Sequence, residues 1–156
     1  LNGRLYVMGG LDCNKVQVLE MSEENEFSWT VKANLHVSRY EAASTVLDGK
    51  IWLMGGGRIV VDDEDDEDEI ECSDSVVIYD PDLESWAEGP TLPLPAASFH
   101  ASTHAGEIYI YEPDLEGVNF PGFVNRGATW EEVDAPRSGG AAPTSHGGAC
   151  ESILLG

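Results

Sequence analysis

Basic residues are scarce: eight Lys and Arg stand against 29 Asp and Glu in 156 residues, a formal net charge of −21. A chain so poor in cations is a weak candidate for binding phosphate backbones, where released counterions reward Lys and Arg. It is equally unsuited to anionic membrane surfaces. Cysteine is scarce too. Cys13, Cys72 and Cys150 are odd in number and widely spaced, so they match no metal pattern and are too few for a disulfide framework. That usage, and the lack of any N-x-S/T acceptor, leads us to expect a cytoplasmic or nuclear setting. No apolar run reaches the 18 residues of a membrane span, and no basic start leads into an apolar stretch. The chain opens at Leu1 and stops at Ser152 to Gly156 inside strand-like runs, and both ends are expected to be cuts through a larger architecture. With 42% apolar residues, the composition is that of a chain with a core.

What the chain does have is self-similarity. Leu1-Asn2-Gly3-Arg4-Leu5-Tyr6-Val7-Met8-Gly9-Gly10 matches Leu47-Asp48-Gly49-Lys50-Ile51-Trp52-Leu53-Met54-Gly55-Gly56 in phase, 46 residues on. A weaker third copy, Ala105 to Tyr111, and the series Trp29, Trp86, Trp130 keep the same rhythm. Without the acidic insertion after Val61 the period is that of a propeller blade. Leu5–Met8 and Ile51–Met54 read as buried strands after Gly-centred turns. Val76–Tyr79 is another, closed by Asp80-Pro81-Asp82 because Pro81 cannot donate to a ladder. Gly and Pro total 25 residues and no stretch has a helical period. Short, evenly spaced strands indicate an all-β sandwich or propeller, and the repeat selects the propeller.

These residues resemble kelch repeats, whose signature is a double glycine after the second strand, a Tyr before an acidic-Pro turn, and a later Trp. The second repeat has all three: Gly55-Gly56, Tyr79-Asp80-Pro81 and Trp86. The first has Gly9-Gly10 and Trp29 without the turn. The third has Trp130 but Tyr111-Glu112 in place of the glycines. The resemblance implies a kelch-type β-propeller of about three blades plus part of a fourth, a partial or open ring. Blades are expected over roughly 1–36, 37–94, 95–135 and 136–156, with an acidic loop insertion at 62–74. The first blade should supply three strands, and Ser38–Leu47 the first strand of the second. Tyr and Trp rings should fill the wedge between blades.

Asp62-Asp63-Glu64-Asp65-Asp66-Glu67-Asp68-Glu69 is a run of eight carboxylates. Adjacent like charges repel, stay solvated and tend toward disorder, so a plain solvated insertion stands beside a lure for a basic partner and a loose calcium site. A calcium loop needs spaced ligands and a turn glycine, which this run lacks. Arg39, Tyr40 and Glu41 should lie where the innermost strand begins, near the channel mouth, with Arg58 on the same face. The resemblance implies that polar residues there form a peptide pocket, against the alternative that Arg39 pairs locally. Ala97 would take the place of Arg39 in the third repeat. His100 and His104 share a strand or helix face without a third metal ligand. Ser98, Ser102 and Ser145 lack a nucleophile elbow, and no glycine pair precedes a helix that could cradle phosphate.

The expected function is therefore a non-enzymatic protein-binding module, without catalytic residues, cofactor or metal. Its loops would face a protein or peptide partner, with a basic one among the candidates, and the resemblance allows a substrate adaptor. The alternative is part of a kelch-type propeller enzyme, a sugar oxidase or sialic acid mutarotase.

Overall fold

The computed structural model describes residues 1–22, 24, 26–61, 68–111 and 122–133. Thirteen strands form three blade-like antiparallel sheets and one ribbon among the described residues. The first sheet joins β1 (Leu5–Met8), β2 (Val16–Met21) and β3 (Phe27–Val31). The second has four strands in the order β4 (Ala43–Leu47), β5 (Lys50–Met54), β8 (Val76–Asp80) and β9 (Ser85–Glu88). The third runs β10 (His100–His104), β11 (Glu107–Tyr111), β12 (Gly122–Asn125) and β13 (Trp130–Val133). Between β5 and β8 the chain leaves the second sheet as a two-stranded ribbon, β6 (Gly57–Val61) and β7 (Asp68–Cys72). Among the described residues the strand pattern is all β and built of blades, with three strands in the first and four in each of the next two. The fourth unit expected from 136 to 156 lies outside the described residues.

Alternation along each strand gives every sheet two faces, and the core consists of the spaces between sheets. Met8 and Val16 of the first sheet meet Leu53, Val77 and Trp86 of the second, with Leu35 between. On its other face the second sheet sets Ala43, Met54 and Val76 against Ile108, Ile110 and Phe123 of the third. Tyr79 is buried, 5.0 Å from the Trp86 ring and 6.1 Å from Tyr6. The indole N–H of Trp86 donates to the Ala33 carbonyl (2.8 Å), and that of Trp130 to the Pro90 carbonyl (3.0 Å). Each thus ties its sheet to the connection that leads into it, as a ring with one apolar body and one polar tip can. Trp29 departs from the expected role: it sits on β3 as the repeat demands, yet it is exposed.

The double glycines bring the backbones of successive blades close together. Gly9 and Gly55 have φ of 74° and 61°. A Cβ on Gly9 would lie 2.5 Å from the Arg39 carbonyl oxygen, and one on Gly55 2.4 Å from that of Ala96. The following glycines donate to those same carbonyls, Gly10 to Arg39 (2.7 Å) and Gly56 to Ala96 (2.8 Å). Any side chain there would break a left-handed turn and an inter-blade contact together.

One ion pair recurs at the same place in every sheet: Arg4–Glu20 at 3.9 Å, Lys50–Asp80 at 2.8 Å and, with the signs exchanged, Glu107–Arg126 at 2.9 Å. Asp80 also accepts the Asp82 and Leu83 amides (3.0 and 3.1 Å), closing the Asp-Pro turn.

Candidate functional site

Of the residues expected at the channel mouth, two meet at a cleft of about 220 Å³ between the β4 lead-in and the base of the ribbon, and Tyr40 and Glu41 are not in its lining. Arg39 and Arg58 both line it, with Ser38, Glu71, Ser73 and Asp74. The strand does not begin where expected: β4 starts at Ala43, and Arg39, Tyr40 and Glu41 belong to the preceding connection. The reason is that their backbone is used elsewhere. The Arg39 carbonyl takes the Gly10 amide, and Tyr40 and Gly57 exchange two hydrogen bonds at 3.0 and 2.8 Å. Glu41 has φ of 54°, outside strand geometry.

Arg39 is a clamp. One Nη donates to the carbonyls of Gly55 (2.9 Å) and Ser75 (3.0 Å), and the other to the Ser75 hydroxyl. Its guanidinium thereby holds the double-glycine turn, the ribbon's exit and the blade lead-in together. Burial pulls its pKa below the ordinary arginine value, although the group stays charged. Tyr40 lays its ring over Gly57, where an added Cβ would stand 3.1 Å from the phenol carbons. Burial, with the nearby Glu41 charge, pushes its hydroxyl pKa up. The Glu41 carboxylate accepts the Ser98 hydroxyl, and the Ser98 amide donates to the Glu41 carbonyl (2.9 Å). Arg58 reaches across the ribbon to Glu71, with Nε 2.9 Å from Oε2.

A sequence model described as the Kelch motif matches residues 38–93. Kelch repeat and BTB domain-containing protein 12 of Homo sapiens is 32% identical over 122 residues, 69% of this chain and 19% of that protein. Kelch-like protein 33 of Homo sapiens is 30% identical over 110 residues, 68% of this chain and 19% of that protein. The chain is a kelch-repeat protein. It spans about a fifth of the length of these two relatives. The solved structure of YjhT superposes with a TM-score of 0.58 at 23% identity, over 70% of this chain and 31% of that one, a likeness in fold.

Within this kelch segment the acidic insertion is more ordered than expected. Asp68 and Glu69 lie in β7, paired with Val61 and Val60 of β6, so 62–74 is not simply a loop. Ile59 opposite Ile70 and Arg58 opposite Glu71 supply cross-strand pairs that offset the repulsion of the acids. Asp62, Asp63, Glu64, Asp65, Asp66 and Glu67 lie outside the described residues, between the two ribbon strands. A second correction concerns the repeat register. Ala96, not Ala97, occupies the Arg39 position, since its carbonyl accepts the second glycine amide in the same way. The side-chain clamp of the second repeat therefore has no counterpart in the third.

His100 and His104 sit on one face of β10, beside Tyr111 and Tyr109 at ring distances of 5.6 and 6.5 Å. Among the described residues no group of three or more His, Cys, Asp or Glu is placed to hold a metal ion. His146, Ser145, Cys150 and the glycine pairs of the last segment lie outside the described residues. Sequence reasoning missed Ser75 and Ser73. Their hydroxyls lie 2.8 Å apart, and Ser75 is the main anchor of Arg39. Their only sequence signal is two serines flanking an acid just before the Val76 strand.

Proposed function

We propose that this kelch segment is a non-enzymatic protein-binding module whose recognition surface is the Arg39–Arg58 cleft and the acidic ribbon beside it. One observation carries the reading: the insertion with the densest negative charge is rooted in the cleft, through Tyr40, Gly57 and the Arg58–Glu71 pair. A ribbon on a rigid sheet is how loops carry recognition on a fixed scaffold. The partner we favour is a basic protein or peptide segment, steered by the run from Asp62 to Glu69 and seated against polar groups of the cleft. An adaptor role fits a relative whose name joins kelch repeats to a BTB domain. The free thiols Cys13 and Cys72 suit a reducing compartment, the cytoplasm or nucleus.

The test is a titration with fluorescent Lys- and Arg-rich peptides and matched acidic controls at two salt concentrations. Basic peptides should bind preferentially, weaken as salt rises, and lose about tenfold or more in affinity when Asp62 to Glu69 are replaced by Asn and Gln. Equal binding by the neutralised variant would refute a role for the ribbon. Stoichiometric copper in the purified protein would refute the non-enzymatic reading.

A further inference from the structure

The wedge between the second and third sheets is not filled like the wedge between the first and second. In the first sheet Tyr6 stands opposite Val18, and Val18 opposite Thr30, on the face that turns Met8 and Val16 to the second. The Tyr79 ring of the second sheet lies 6.1 Å from Tyr6, and Val18 is fully buried. In the second sheet the corresponding residues are Trp52, Ile78 and Ala87, in the same register and on the face that turns Met54 and Val76 to the third. Ile78, in the place of Val18, is only half-buried, and Ala87 is exposed. A cleft of about 280 Å³ opens over them, and Leu83 in its wall is 74% exposed.

The difference traces to one position. Tyr79 stands opposite Ile51 on one side and Trp86 on the other, and Asn125 stands opposite Ile108 and Trp130 in the same way. Asn125 therefore takes the place of the kelch Tyr in the third repeat. It is 2% exposed, and its amide donates to the Thr129 carbonyl at 3.1 Å beside its own sheet. So short a side chain cannot cross to the second sheet as the Tyr79 ring crosses to the first. Among the described residues no ring stands beside Trp52 as Tyr79 stands beside Tyr6. The rim of the cleft is polar: Lys50 and Asp80 pair at 2.8 Å, with Ser85 opposite Asp80. It shares no lining residue with the Arg39–Arg58 cleft.

We propose that this cleft is a binding site for an aromatic side chain, a tyrosine presented by a partner protein or peptide. The repeat names the occupant: the first wedge takes a tyrosine ring from its own neighbouring blade, and the second takes one from outside. Trp52 and Ile78 supply an apolar floor on which ring contacts add to burial. The rim favours tyrosine over phenylalanine, because the hydroxyl can end among Lys50, Asp80 and Ser85 while the ring leaves water. The volume suits one side chain rather than a drug-sized ligand. A second copy of this chain is the poorer partner, since each carries a formal charge of −21, which opposes close association.

The test is a titration of the chain with a short Gly-Ser peptide carrying one central tyrosine, followed by NMR. The peptide should bind saturably and move the Trp52 indole signal and the Ile78 and Ala87 amides, while the same peptide with alanine for tyrosine moves none of them. Added salt should change this binding little, unlike capture of a basic segment at the other cleft. Asn125→Tyr should fill the cleft from within and Ala87→Phe from its floor, each weakening the peptide by about tenfold or more. If Asn125→Tyr does not fold, Ala87→Phe decides, because β9 is an edge strand and Ala87 is exposed. Undiminished binding by Ala87→Phe overturns the proposal, as does a Trp52 signal that the tyrosyl peptide does not move. Binding of para-cresol without binding of the peptide also overturns it, since the cleft would then take only free aromatics. So does a dimer of the natural chain in sedimentation that Ala87→Phe dissolves, since a second copy would then be the occupant.

Discussion

In the second sheet, Trp86 is packed beside Tyr79, its N–H held by Ala33 of the incoming connection. In the first sheet the in-phase Trp29 stands on the same kind of strand and meets solvent. The two repeats keep the same pattern over the ten residues from Leu1 and Leu47 and set both tryptophans on the last strand of their sheets. Only the second has a Tyr on the neighbouring strand and a blade beside that face. A kelch Trp is therefore not intrinsically a core residue. Its burial is a property of the neighbouring blade, as one-dimensional repeat stacking requires.

The sharpest way to break the comparison is at the glycines, where both repeats touch the next blade alike. Gly9→Val and Gly55→Val should each cost about 3 kcal/mol or more in chemical denaturation, because a crowded Cβ and a positive φ act together. Gly49→Ala has a similar φ of 71° but open space around it, and should cost only about 1 kcal/mol. Similar losses at Gly49 and Gly55 would show that backbone angle, not blade contact, selects the glycines.

Arg39→Ala should cost about 2 kcal/mol, since it removes charged hydrogen bonds to the Gly55 and Ser75 carbonyls. Arg39→Lys should recover only part, because one ammonium cannot reproduce the fork. The third repeat manages with Ala96, so an effect near zero would reduce Arg39 to a cleft residue alone. Trp86→Phe should cost about 1 kcal/mol by leaving the Ala33 carbonyl unpaired. Trp29→Phe in the natural chain should stay within about 0.5 kcal/mol.

The smallest effect expected is electrostatic. The Lys50 hydrogen bond, then the Leu83 and Asp82 amides, hold the Asp80 carboxyl below its ordinary value of 3.8. A folded-state pKa below the unfolded one contributes stability at higher pH, lost as pH falls through the folded value. The urea midpoint should therefore drop as pH is lowered from about 5 toward 3. Asp80→Asn should flatten part of that slope, a modest part because the pair is at the surface. Glu107, held down first by the Tyr109 hydroxyl and then by Arg126, should contribute in the same direction.

Much of this was legible along the chain. Ten of the 29 acids lie between Asp62 and Asp74, and that insertion was visible as an interruption of the repeat. Its ribbon was not, because the pairing of Ile59 with Ile70 spans the acidic run and charge patterning alone reads such a run as solvated chain. Arg39 and Arg58 were marked as neighbours, and they share a cleft. That Arg39 would be occupied by two carbonyls and a serine hydroxyl could not be read, since Gly55 and Ser75 are 16 and 36 residues away. The shift from Ala97 to Ala96 has the same origin: register in an irregular connection is set by which carbonyl meets the glycine amide.

Strand identity, the double-glycine turns, the Asp80-Pro81 stop and the blade period follow from local chemistry: alternation, φ limits and a missing N–H. Which side of a sheet is core, what Arg39 holds and whether a tryptophan is buried follow from contacts across blades. The first sheet shows why. Its sequence meets the kelch pattern at Leu5, Val7, Gly9, Gly10 and Trp29, yet burial is a relation between two surfaces, and no single repeat contains both of them.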